Sequence, residues 1–175
     1  MSDAAPTGLT IVYTGEGKGK TSAALGTALR AVGHGLSVSM VQFVKVQPSG
    51  EREAAARLAP DLTIHAMGRG WVRGAPTEAD LAAARGALAA VRRLLAEEGP
   101  AMVVADEILT AVGLGLLGRE DVEALVAARP GDRHLVLTGR GVWPELVERA
   151  DLVTEMRSVK HPHDRGVGPQ AGIEF

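Results

Sequence analysis

The residues best suited to chemistry lie between a β-rich apolar run, Leu9 to Thr14, and an Ala- and Leu-rich segment, Thr21 to Val32. They read Thr14-Gly15-Glu16-Gly17-Lys18-Gly19-Lys20-Thr21. This string meets the spacing G-x-x-x-x-G-K-[ST] at every defined position except the first, where Thr14 replaces glycine. Glycines let successive backbone N–H groups converge on phosphate oxygens, and a helix start adds partial positive charge. Lys20 adds a full charge, and Thr21 offers a hydroxyl to a divalent cation. ATP or a related triphosphate is the expected ligand. A glycine-rich turn with a solvated lysine is the competing reading, and the strand before and helix after the string weigh against it.

A second constellation is Asp106-Glu107, which follows the apolar run Met102-Val103-Val104-Ala105. A carboxylate at that strand end can hold Mg²⁺ (or Mn²⁺) directly or through water and offset triphosphate charge, and only one of the two need touch metal. Its alternative is an acidic cap on the next helix. Thr138-Gly139-Arg140-Gly141 brings an arginine to a phosphate or forms a plain turn with the arginine exposed, and the sequence leaves both open. Two further patterns fail. His161, His163 and Asp164 have no additional ligand cluster nearby and read as a solvated tail, so no zinc is assigned. Asp132-Arg133-His134 with Gly139 resembles a D-x-H-x-x-G cobalt-ligating pattern, but Leu137 stands where its glycine is required.

Positioning these residues requires a regular frame. Strands are expected at Leu9–Thr14, Leu36–Phe43, Leu62–Met67, Met102–Ala105, Leu135–Thr138 and Leu152–Met156. Helices are expected at Thr21–Val32, Glu51–Leu58, Ile108–Leu117, Arg119–Arg129 and Trp143–Arg149. One more follows the capping signature Thr77/Asp80, with Leu81, Ala84, Leu88, Val91 and Leu95 as its apolar stripe. Arg157 to Phe175 reads as a polar tail. This alternation predicts an α/β, P-loop NTPase-like fold with a mainly parallel sheet covered by helices on both faces, as one domain over residues 1–175. Sites in such sheets form at the carboxyl ends of strands, where every unusual segment falls, including the irregular Gly68 to Pro76.

Composition narrows the function classes. Hydrophobic residues make up 46% and charged residues 23%, with formal net charge −2, so there is no global field for nucleic acid or an anionic membrane. Aromatics are only 3%, which makes Trp71 and Trp143 stand out and leaves few platforms for stacking bases. No apolar run reaches the roughly 18 residues of a membrane span, and the first residues lack a signal-peptide pattern. With no cysteine, disulfides, thiolate metal sites and a cysteine nucleophile are excluded. A cytoplasmic protein is expected.

Taken together, these residues resemble the ATP:corrinoid adenosyltransferases. The matching segments are the phosphate loop, Arg30-Ala31-Val32-Gly33-His34-Gly35, Val41-Gln42-Phe43-Val44-Lys45, Asp106-Glu107, Leu137 to Gly141, and Val159-Lys160-His161-Pro162 through Gly172-Ile173-Glu174. They run in order over nearly the whole chain. The resemblance implies transfer of the 5′-deoxyadenosyl group of ATP to the Co(I) of a reduced corrinoid with release of triphosphate, in adenosylcobalamin synthesis or salvage. It implies that Gly15, Glu16, Gly17, Lys18, Gly19, Lys20, Thr21 and Arg140 bind ATP and that Thr21, Glu107 and Asp106 hold the metal. Lys20, Thr21 and Glu107 would be catalytic, and Gly68, Gly70, Trp71 and Arg73 would contact the corrinoid. Arg73 stands where a tryptophan is usual, which departs from the family pattern. An electron-donating reductase and a homodimer are further implications. A small-molecule kinase or ATPase, and a nucleotide-gated corrinoid-binding protein, are the competing functions.

Overall fold

The computed structural model describes residues 7–96 and 98–174. Six strands, β1 (Thr10–Thr14), β2 (Val38–Gln42), β3 (Leu62–Ala66), β4 (Met102–Asp106), β5 (His134–Thr138) and β6 (Leu152–Glu155), form one sheet in the order β3-β2-β4-β5-β1-β6. Every pairing is parallel, so the expected mainly parallel sheet is wholly so among the described residues. The helices are α1 (Lys20–Gly33), α2 (Gly50–Arg57), α3 (Glu78–Leu95), α4 (Ile108–Gly113), α5 (Arg119–Ala128) and α6 (Pro144–Arg149).

Alternation along the strands divides two cores. Ile11, Met40, Val104 and Val136 face the layer that holds Ala24, Ala28 and Ala31 of α1, whose small side chains at helical spacing let that helix lie close to the sheet. Val12, Val41, Val103 and Leu135 face the layer built from α3 to α6. The buried faces of β2 therefore serve both cores, and Ser39, on the side of Val41, pairs its hydroxyl with Thr63 at 2.8 Å.

Helix α3 begins where the sequence signals it. The Thr77 hydroxyl accepts from the Asp80 backbone N–H, and the Asp80 carboxylate accepts from the Thr77 N–H at 3.0 Å. Thr77→Ala is expected to cost about 1 kcal/mol, read as a lower chemical-denaturation midpoint with an unchanged slope.

One expectation needs correction, and two features are refined. The helix expected over Ile108–Leu117 stops at Gly113, because Leu116 and Leu117 turn inward to the core instead of continuing the helix. Trp143 is a packing residue: it is buried, donates its indole N–H to Glu123 at 3.0 Å and carries Arg119 over its ring. The tail is exposed at nearly every position, as expected, and is locally ordered. It forms a 3-10 turn at Pro162–Arg165, where the His161 Nδ1 accepts from the His163 N–H and Asp164 accepts from the His161 N–H. The cluster that suggested a metal is occupied by this capping.

Candidate active site

Helix α1 packs on β1, β4 and β5, so its first turn spans the gap between the loop after β1 and the carboxyl end of β4. Gly15 (φ +100°) and Gly17 lay that loop against the chain leaving β6. A Cβ on Gly15 would lie 2.4 Å from the Met156 carbonyl oxygen, and the Gly17 N–H donates to that same oxygen at 2.7 Å. Gly19 (φ +111°) then turns the chain into the helix. The Lys20 Nζ arches back and donates to the carbonyls of Gly15 at 2.7 Å and Gly17 at 2.9 Å. Burial holds this ammonium below the ordinary lysine range, with Arg140 acting in the same direction and Glu107, Glu16 and Asp106 opposing.

Thr21, one residue on, donates its hydroxyl to Asp106 Oδ1 at 2.9 Å, and Thr138 at the end of β5 donates to the same oxygen at 2.8 Å. Strand register sets Gln42 beside Asp106, and the Gln42 Nε2 lies 3.3 Å from both Asp106 Oδ2 and Glu51 Oε1. Asp106 is fully buried, and that burial pushes its carboxyl above the usual range against the pull of the Thr138 and Thr21 hydrogen bonds. Glu107 takes a left-handed backbone (φ +62°), which for a non-glycine residue costs about 1 kcal/mol or more. Its N–H donates to the Thr138 hydroxyl at 2.8 Å and its carboxylate accepts from Thr110, which fixes the turn. Gly139 is needed next to this turn, since a Cβ there would meet the Thr110 nitrogen at 2.5 Å. The following Arg140 donates its backbone N–H to the Thr110 hydroxyl at 3.1 Å.

These elements surround a cleft of about 940 Å³. Gly17, Lys18, Gly19, Lys20, Thr21, Trp71, Glu107 and Arg140, all singled out in the sequence, line it. Asp106 is not part of the lining and is linked to it through Thr21 and, by way of Gln42, through Glu51. Gly15 and Glu16 fall outside the lining. Glu16 instead pairs with the Arg140 guanidinium, which accounts for a carboxylate in a phosphate loop: it holds an arginine at the rim. Gly68 and Gly70 frame the loop that carries Trp71. The Gly68 N–H donates to the Gln42 carbonyl at 3.1 Å, the Gly70 N–H donates to Val44 at 2.8 Å, and a Cβ on Gly68 would lie 2.5 Å from the Phe43 oxygen. Val72 packs inward while Trp71 projects into the cleft, and Arg73 is exposed and does not line it.

Sequence reasoning missed the opposite walls. Lys45 and Glu51 face the cleft as an ion pair at 2.6 Å, and Leu25 and Leu29 of α1 contribute an apolar side. Lys45 ends one of the matching segments, which was the available signal. Gly172, Ile173 and Glu174 return from the tail to the same cleft, and Glu174 pairs with Lys18 of the phosphate loop. A second cavity of about 600 Å³, between α2 and β3, contains none of the motif residues.

The Thr21 hydroxyl with Asp106 and Glu107 offers only hard oxygen donors beside the phosphate loop. One or two carboxylates completed by substrate phosphates suit Mg²⁺, so these residues fit that ion. Among the described residues no cluster of three or more His, Cys, Asp or Glu side chains could hold a metal by itself.

A glycine-rich loop between β1 and α1, a buried lysine and a threonine–aspartate contact across a parallel sheet define a P-loop NTPase-like nucleotide-binding protein. The fold has a counterpart in a solved KaiC-like protein, PH0186, from the hyperthermophilic archaeon Pyrococcus horikoshii OT3, with TM-score 0.53, 18% identity and coverage of 86% of this chain and 74% of that one. The particular family comes from the sequence comparisons: residues 6–175 match ATP:corrinoid adenosyltransferase BtuR/CobO/CobP, and the chain belongs to that family of ATP-dependent transferases. It is 43% identical to the corrinoid adenosyltransferase CobA of Salmonella typhimurium, over 96% of this chain and 86% of that protein. It is 41% identical to the corrinoid adenosyltransferase of Pseudomonas aeruginosa, over 96% and 84%.

Proposed function

We propose that the protein transfers the 5′-deoxyadenosyl group of ATP to the Co(I) of a reduced corrinoid and releases triphosphate, in the synthesis or salvage of adenosylcobalamin. The observation that carries this reading is one cleft with a phosphate-binding loop along one side and exposed apolar groups, Trp71 among them, at its mouth. An electron pair on cobalt forms the Co–C5′ bond, the C5′–O bond breaks, and its pair departs with triphosphate. Cobalt passes formally from +1 to +3. Because cobalt is the nucleophile, the chain need not supply one.

The chain's own tasks are alignment and charge stabilisation. Backbone N–H groups from Lys18 to Thr21 and the Lys20 ammonium hold the departing triphosphate, and Arg140, braced by Glu16, meets an outer oxygen. Mg²⁺ or Mn²⁺, held by Thr21, Glu107 and Asp106, would neutralise phosphate charge when bound. The corrinoid lies against the Gly68–Arg73 loop. An electron-donating reductase is required because cobalt must reach the +1 state, and the family resemblance supports a homodimer. A single domain over residues 1–175 and a cytoplasmic site suit a cysteine-free, ATP-using chain with its elements in one sheet.

An anaerobic assay with ATP, Mg²⁺ and chemically reduced cob(I)alamin tests the reading, with adenosylcobalamin and stoichiometric triphosphate as the expected products. ADP and phosphate with an unaltered corrinoid would overturn it in favour of kinase or ATPase chemistry. In the same assay Trp71→Ala should raise the KM for cobalamin about tenfold, or 1.4 kcal/mol, and leave the KM for ATP within twofold. The side chain is 60% exposed, so the change costs little core packing.

A further inference from the structure

Four large apolar side chains are more than half exposed among the described residues: Leu29 (58%), Trp71 (60%), Val159 (90%) and Ile173 (79%). Three of them, Leu29, Trp71 and Ile173, line the same cleft although they come from α1, the loop after β3 and the tail. Scattered exposed apolar residues need no explanation, but convergence from three distant segments on one opening marks a binding surface.

The tail that brings Ile173 there is tied down. The neighbouring Glu174 carboxylate is mostly covered and pairs with Lys18 of the phosphate loop, with the His161 Nε2 4.0 Å away. Lys18, with His161 adding to it, holds the Glu174 carboxyl below the usual range. The N–H groups of Ile173 and Glu174 donate to the Gln170 carbonyl at 3.2 and 2.9 Å, which closes a turn. An isoleucine next to such an anchor is presented outward by a fixed backbone, without the ordering cost of a loose terminus.

We infer that Ile173 is a substrate-contacting residue: latched by Glu174 and Lys18, it forms with Trp71 and Leu29 an apolar rim that grips the macrocycle of the corrinoid. The inference deepens the function proposed above and rests on it for the identity of the second substrate. The rim draws on three separate segments that line one cleft and leaves each apolar side chain more than half exposed, which suits a broad ring system better than a single base seated in a crevice. The tail thereby couples the two substrates, because the loop that binds triphosphate also holds the residue that meets the corrinoid.

The test is equilibrium binding of cob(II)alamin to the full chain with ATP and Mg²⁺, followed by the visible spectrum, with ATP affinity measured separately. Ile173→Ser should weaken cobalamin binding about five- to tenfold and leave ATP affinity within twofold, while Ile173→Leu restores binding. Glu174→Gln, which loosens the latch and leaves Ile173 in place, should weaken cobalamin binding in the same direction. Unchanged cobalamin affinity in Ile173→Ser, or an equal loss of ATP affinity, would overturn the inference. Failure of the function reading is separate: it appears as absence of adenosyl transfer by the wild-type chain, whatever the variants bind.

Discussion

Lys20→Ala is expected to lower adenosyl transfer by about a thousandfold while the chain remains folded at 25 °C. In the proposed reaction the leaving triphosphate would carry its developing charge next to this ammonium, and loss of one such donor from a preorganised site costs about 10²- to 10³-fold, before the lost binding of ATP is added. Lys20 is almost fully buried, so its charge is little screened by water. The same Nζ satisfies the carbonyls of Gly15 and Gly17, and its removal should also lower stability by about 1–3 kcal/mol. Single-turnover rates, ATP titration calorimetry and a thermal melt separate these effects. A transfer rate within tenfold of wild type would remove Lys20 from the site.

Asp106→Asn is expected to separate stability from activity. Burial holds the Asp106 carboxyl above the usual carboxylate range, so the folded chain binds this proton more tightly than the unfolded chain. The contribution of this group to stability is therefore fullest below the unfolded carboxylate range, and it is lost as pH rises through the raised folded value. Asparagine does not titrate. Its advantage should grow across that window and level off above it, as a rise of a few degrees in thermal midpoint. The side chain still offers Oδ1 to Thr21 and Thr138, with Gln42 the neighbour that must adjust. Turnover should nevertheless fall at least a hundredfold, because the neutral amide would no longer supply the negative charge that the cation proposed at Thr21 needs. Paired melts from pH 5 to 8 and steady-state rates check both halves. Lower stability at every pH, or an undiminished rate, would refute the assignment.

Much of this molecule follows from local physics. Alternating strand and helix patterns specified the parallel α/β sheet, and each predicted strand lies within two residues of its observed limits. The phosphate loop was legible because its function depends on backbone geometry that only glycines allow, at φ +100° for Gly15 and +111° for Gly19. The capping pair Thr77 and Asp80 was legible because both partners lie within one turn.

The relations that complete the site span large sequence separations. Glu16 lies beside Arg140 only because β1 and β5 are neighbours, and Thr21 reaches Asp106 only because α1 crosses the sheet. The same holds for Gln42 beside Asp106 and for a tail that returns to Lys18. Residue type and spacing therefore determined which groups could bind phosphate and where strands would end, since those depend on neighbours within a few residues. Tertiary structure alone decided which carboxylate is buried under Thr21, which acid braces Arg140 and where the tail lies. Those outcomes depend on strand order and burial, which no local pattern contains.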